Sequence, residues 1–234
     1  QSFLVGNSSP YNFIDLDGSD QYISISPISK LSDEHTLEAW FKTTSGSGGA
    51  GGEATIISYI SDSGGGDDSV MSVMGNKLSW SDFVDDDQSG TSTVNNNEWH
   101  HGVVVVTGTK QYIYVDSNLE KTTTNAYSIG TNPTHLAIGA RANSPSRYFE
   151  GQISGVRIYN KELSSTEISA IYALGRHGNA LESYSDNLVG NWAMSSLDSA
   201  TGLSDVGNGT IYDRSGNSNH GTATNTESTD LASS

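Results

Sequence analysis

The sequence predicts an all-β sandwich carrying one short helix. Apolar residues recur with the two-residue period of strands, and Ser, Thr, Asn, Asp and Gly fill the gaps between those runs. Only one segment combines the start and stop signals of a helix.

Taken in order, Tyr22 to Ser26 alternates in the β period and Leu37 to Lys42 does so less cleanly. A Gly-rich loop from Ser45 to Gly52 precedes a strand from Ala54 to Ile60. A Gly/Asp turn (Asp62 to Asp68) leads to Val70 to Met74, which Asn76 ends before Leu78 to Trp80. The acidic stretch Asp82 to Asp87 and the polar run Gln88 to Asn97 read as loop, with a short strand near Thr91 to Val94.

The β-branched run Val103 to Val106 predicts a strand buried on both faces. Lys110 to Val115 follows as its hairpin partner, and Asp116 to Asn118 turns the chain again. His135 to Gly139 and Tyr148 to Asn160 are further strands. The helix falls near 164–174: Ser164 and Glu167 form a capping box, and Leu163 and Ile168 form a staple. Ile168, Ile171 and Tyr172 share one face, and Gly175 supplies the left-handed stop.

Residues 1–175 therefore form the sandwich and 176–187 a polar linker, with strand patterns resuming at Leu188 to Met194 and Gly209 to Asp213. Residues 188–234 either complete the sandwich or begin a second module, and the polar tail from Thr224 onward is expected to be the least ordered part.

Apolar residues make up only 34% of the chain, so long solvated loops must accompany the core. The net charge of −16 disfavours nucleic acid as a partner. No apolar run approaches the roughly 20 residues that span a bilayer, so membrane insertion is not expected. Cysteine is absent, which removes disulfide and thiolate chemistry. Without a signal peptide or initiating Met, Gln1 reads as a processed or excised start.

Several segments resemble one family. Phe13 to Ile23 places an Asp-Gly turn before a Tyr-containing strand, and Thr36 to Phe41 centres a strand on Trp40. Trp99-His100-His101, Tyr112 to Asp116, and Tyr148 to Tyr159 followed by Leu163 and Glu167-Ile168 complete the pattern. Together they resemble laminin-G-like domains of the concanavalin A-like jelly-roll superfamily, from Phe13 to about Tyr172. The resemblance implies a two-sheet antiparallel jelly roll. It also implies a non-catalytic recognition or structural module of a larger extracellular or virion surface protein, contacting glycans or neighbouring proteins. Virion decoration or spacing, and a secreted glycan-active enzyme, are the rival readings. Two features depart from the family pattern. Ser154 and Gly155 stand where acidic residues are frequent, which weakens a calcium site there. The stretch from Leu188 to Thr222 looks like the beginning of such a domain yet comes last.

Hydrolases of this fold carry paired glutamates around an aspartate on one strand, and no Glu-x-Asp-x-Glu occurs. Asp15 and Asp17 share a strand face but belong to the first turn, so no catalytic residue is assigned. Gly46 to Gly51 matches the spacing of a dinucleotide fingerprint, but a strand follows it where a helix is needed, so it reads as a loop. His100 and His101 point to opposite faces of a strand, one expected packed and one exposed. Asp213 to Asn219 reads as an Asx-rich turn, because an EF-hand would need Gly and Glu where Ser218 and Thr224 stand.

Calcium is the one cofactor the sequence suggests, on Asp17 or Asp20 with backbone carbonyls. The clusters Asp62-Asp67-Asp68 and Asp85-Asp86-Asp87 are alternatives that read as solvated. For sugar stacking, Trp80, Tyr59 and Tyr148 are the candidate rings, with Arg141 on a loop beside Tyr148. Trp40 and Trp99 are expected in the core, and Trp80, next to an acidic loop, at the surface.

Overall fold

The computed structural model describes residues 13–25, 31–46, 52–61, 68–82, 88–129, 133–142, 144–176, 186–194, 208–226 and 230–232. In chain order the first strands are Phe13–Asp17 (β1), Tyr22–Ile25 (β2), His35–Lys42 (β3), Glu53–Ser61 (β4), Ser69–Met74 (β5), Lys77–Ser81 (β6) and Gln88–Ser89 (β7). His100–Val106 (β8), Gln111–Val115 (β9), Asn118–Thr123 (β10), Pro133–Ile138 (β11) and Glu150–Tyr159 (β12) precede the helix Ser165–Leu174 (α1). Leu188–Trp192 (β13), Asn208–Ile211 (β14), Gly221–Thr224 (β15) and Leu231–Ala232 (β16) follow it.

These strands form two antiparallel sheets in a jelly-roll sandwich. One runs β10-β9-β8-β3-β12-β1-β16, with β13 paired to the second half of β12; the other runs β14-β15-β2-β11-β4-β5-β6-β7. The two-residue period explains the core between them. Ile14 and Leu16, Ile23 and Ile25, Leu37, Ala39 and Phe41, and Val104 and Val106 all point inward. The intervening Val103 and Val105 face outward, where they meet Tyr114, Tyr159, Leu163, Ile168 and Ile171 beneath α1. The run Val103 to Val106 is thus buried on both faces, as its β-branched composition predicts.

The helix begins where its cap requires. The Ser164 side chain accepts from the Glu167 N–H, and the Glu167 carboxylate accepts from the Ser164 N–H at 2.8 Å. Gly175 ends it with φ of 72°. Leu163 and Ile168, the expected staple, are both buried in the cluster under the helix.

Some expectations are corrected. The short strand before β8 is Gln88–Ser89, not Thr91 to Val94. The N–H groups of Thr91 and Ser92 donate instead to one carboxylate oxygen of Glu120, so they cannot join a ladder. The polar edge strand β10 gave no apolar signal. The Gly-rich loop residues 47–51 and the acidic residues Asp62, Asp67, Asp85, Asp86 and Asp87 lie outside the described residues, as do positions 177–185 of the expected linker.

Strands after residue 187 enter both sheets. Val156 pairs with Trp192, β15 continues the ladder from β2, and β16 pairs with β1. Trp192 is fully buried in the same core as Ile153, Val156 and Ile158. Within the polar tail, Leu231 is buried against β1, because one apolar side chain suffices to fix a short strand beside an existing one.

Candidate functional site

Two of the ring candidates are core residues. Trp80 is 3% exposed and Tyr59 1% exposed. Trp80 lies opposite Met71 and Tyr59 opposite Leu136, all on the inner face of their sheet. The Trp80 indole N–H donates to Ser69 Oγ at 3.0 Å, and its ring meets Tyr127 edge-on at 5.4 Å. Tyr59 accepts from the Leu31 N–H at 3.0 Å, and burial pushes its phenol up to about 12. The acidic loop after Trp80 suggested a surface position, but strand parity turns the ring inward.

Trp99 reverses the other expectation: it is half-buried, with the Arg176 guanidinium 4.1 Å above its ring and Phe13 at 5.8 Å. Trp40 is in the interior and stacks on Tyr172 of α1 at 5.6 Å. His100 and His101 are both buried rather than one packed and one exposed. They do take opposite faces. His100 Nδ1 lies 2.8 Å from Asp116 Oδ2, and His101 Nε2 lies 3.1 Å from Glu38 Oε1.

Arg141 and Tyr148 are half-buried. Arg141 donates its backbone N–H to the Ser146 carbonyl, closing the turn before Tyr148. The Tyr148 ring stands 6.2 Å from Tyr22, and burial, with Tyr22 and Asp20 nearby, raises its phenol. Trp80 and Tyr59 do not join this pair.

Asp17 and Asp20 are exposed. Asp17 Oδ1 accepts from the Ser19 N–H at 2.8 Å, which stabilises the Asp-Gly turn, while the Asp20 carbonyl accepts from the Asn225 amide. Among the described residues no three His, Asp or Glu side chains are grouped to hold a metal ion.

The Asp213 loop is likewise a self-contained turn. Asp213 Oδ1 accepts from the N–H groups of Asn191 and Ser215, and Oδ2 from the Ser215 hydroxyl and the Asn219 N–H. Four donors occupy the carboxylate. A cavity of about 340 Å³ beside it is lined by Asn160, Asn187, Leu188, Val189, Asn217 and Asn219. The Asn217 and Asn219 amides are committed there to the carbonyls of Leu188 and Val189.

A second cleft, about 290 Å³, is lined by groups of another kind: Asp15, Asp17, Lys42, Thr44, Glu150 and Gln152, with Thr43 and Asn97 at its margin. Strand register builds it. Asp17 sits opposite Glu150, Asp15 opposite Gln152, and Gln152 opposite Lys42, so polar side chains from β1, β12 and β3 meet on one outer face. Gly151, at φ of 130°, lets β12 lie against the Lys42 carbonyl, and a Cβ there would come within 2.3 Å of that oxygen. The Thr43 hydroxyl donates to the Glu150 carbonyl at 2.6 Å, and Asn97 N–H to the Thr43 carbonyl at 3.0 Å, fixing the walls. The Lys42 ammonium and the Glu150 carboxylate engage no polar partner among the described residues. Tyr148 lies two residues before Glu150, and Trp99 two after Asn97.

Lys42, Glu150, Gln152 and Asn97 were not singled out by the sequence. Their only signal is alternation: Tyr148, Glu150 and Gln152 occupy the outward positions of a strand whose inward ones are apolar or glycine.

With two facing antiparallel sheets, one helix on an outer face and a polar cleft across three strands, the molecule has the architecture of a lectin-like sandwich. Residues 17–169 match the laminin G-type model of the concanavalin A-like lectin/glucanases superfamily, and the chain belongs to that family. A Bacteroides ovatus protein whose proposed role is carbohydrate binding superposes with a TM-score of 0.67 at 16% identity, over 93% of this chain and 59% of the other. The chain thus spans 59% of that protein's length. A heptameric SAP-like pentraxin from Limulus polyphemus gives 0.59 at 13% identity, over 71% and 83% of the two chains. The CBM40 module of the Ruminococcus gnavus IT-sialidase, bound to α2,3-sialyllactose, gives 0.53 at 13% identity, over 68% and 97%. At these identities the likeness is one of fold. No curated protein sequence matches the chain. Among the described residues no helix is long and apolar enough to cross a membrane.

Proposed function

We propose that the chain is a non-catalytic carbohydrate-recognition module, and that the cleft between β1, β12 and β3 contacts the glycan. The observation that carries this reading is the presence of Lys42 and Glu150, facing the cleft with no polar partner among the described residues. A sugar offers many hydroxyls that donate and accept, and a lining of carboxylates, amides and an ammonium answers them. Half-buried Trp99 and the Tyr22–Tyr148 pair lie close along the chain to supply ring faces. Similarity in fold to carbohydrate-binding modules supports the same reading.

The reading extends to a larger extracellular or virion surface protein, in which glycans or neighbouring surface proteins are the partners. Catalysis is disfavoured. Asp17 and Glu150 face each other across strands, but both are exposed, and a glycosidase acid requires a desolvated carboxyl.

A glycan array with calcium and with chelator tests the proposal. The protein is expected to bind glycans, and Lys42→Ala and Glu150→Ala to weaken binding without lowering Tm. Calcium on Asp17 or Asp20 would appear as binding that the chelator abolishes. Silence of the unaltered protein in both conditions would overturn the proposal in favour of a spacer, and turnover of any polysaccharide would sink the non-catalytic assignment.

A further inference from the structure

Resting on that reading, we infer that the cleft selects uncharged glycans and rejects those bearing carboxylate or sulfate groups. Its lining contains three carboxylates, Asp15, Asp17 and Glu150, against the single ammonium of Lys42. Two negative charges are left uncompensated. Asp17 and Glu150 are direct cross-strand neighbours, an arrangement of like charges that costs the sheet stability and contributes nothing to the core. Gln152 Nε2 donates to Asp15 Oδ2 at 3.3 Å, which orients that side chain as an acceptor at the cleft.

Carboxylates at a sugar site accept hydroxyl hydrogens in charge-assisted bonds, stronger than those between neutral groups. The same oxygens repel an anionic substituent. Lys42 stands at the β3 end of the row Asp15–Gln152–Lys42 and lines the same cleft as the three acids, so an anionic substituent drawn to it also meets their field. The net charge of −16 adds a field of the same sign over the whole approach.

The test compares the strongest neutral binder found on the array with its sulfated derivative, by calorimetry on the whole chain. The sulfated form is expected to bind at least tenfold more weakly at about 0.1 M salt, with the gap narrowing at about 1 M as the charges are screened. Asp17→Asn combined with Glu150→Gln is expected to close the gap at low salt. Equal or tighter binding of the sulfated form would overturn the selectivity while leaving the module reading intact. Binding to no glycan at all would overturn both. If the double variant loses binding altogether, salt decides: a gap in the unaltered protein that salt does not change would overturn the electrostatic account.

Discussion

Arg157 Nη1 donates to Glu38 Oε1 at 2.6 Å, and neither side chain reaches solvent to any extent. The same carboxylate oxygen lies 3.1 Å from His101 Nε2, so one buried acid joins β3, β12 and β8 under helix α1. Burial alone would raise the Glu38 carboxyl, but the Arg157 charge and the hydrogen bonds from His101 and Arg157 outweigh it and hold it below the usual carboxylate range. Replacing Glu38 by Gln keeps the volume and strands the guanidinium. The expected loss is about 3–5 kcal/mol, read from urea unfolding, and an unchanged midpoint would remove this network from the account of stability.

A second buried group sets the acid limit. His35 Nδ1 donates to the Ser32 carbonyl at 2.9 Å, so Nε2 is left to accept from Ser69 Oγ at 2.8 Å. Burial lowers this imidazole to about 4, despite the opposing pull of Ser32 and Asp33. The unfolded chain takes up the proton below about 6.5 and the folded one only near 4. The contribution is therefore complete above 6.5 and is lost as pH falls from there to about 4, the loss by then amounting to roughly 3 kcal/mol. Glu38, held low, adds a further loss below its ordinary value of 4.5. Unfolding midpoints at pH 7, 5 and 4 check this, and His35→Gln should flatten the upper part of the curve.

Asp213→Ala withdraws the acceptor of four hydrogen bonds at once and leaves the buried Asn191 N–H unpaired. A loss of about 2–4 kcal/mol is expected. Because the carboxylate is already fully engaged, added calcium should not restore the variant, and thermal unfolding with and without the ion settles the point.

Gly151→Ala places a methyl against the Lys42 carbonyl at a φ that side chains rarely adopt. A cost of about 1–3 kcal/mol is expected, together with weakened glycan binding, since β3 must yield where Lys42 sits. Gly108→Ala is the control. A Cβ there meets nothing within 4 Å, and the change should stay within about 0.5 kcal/mol.

The fold was legible because strands, turns and the helix cap write their periods directly into the chain, as at Val103 to Val106 and Ser164 to Glu167. The cleft was not. It is a product of register, which brings Asp17, Glu150, Gln152 and Lys42 together from three strands that are distant in sequence. Two of the three ring candidates, Trp80 and Tyr59, turn out buried for a related reason. Trp80 beside an acidic loop looks exposed, yet its parity relative to Leu78 fixes it inward, and parity is secure only once pairing is known. Trp99, just before β8, escapes the pleat that buries His101 and Val103. The polar edge β10 and the two-residue β16 carry too few apolar residues to announce themselves.

Phe13 pairs with Ala232 and Ile14 with Leu231, and Gln21 Nε2 donates to the Asp230 carboxylate at 3.0 Å. Among the described strands the first and the last are thus adjacent, about 4.8 Å apart. The same adjacency makes the fold a natural subject for circular permutation, with a short peptide joining β16 to β1 and new ends opened at the exposed Thr107–Lys110 turn.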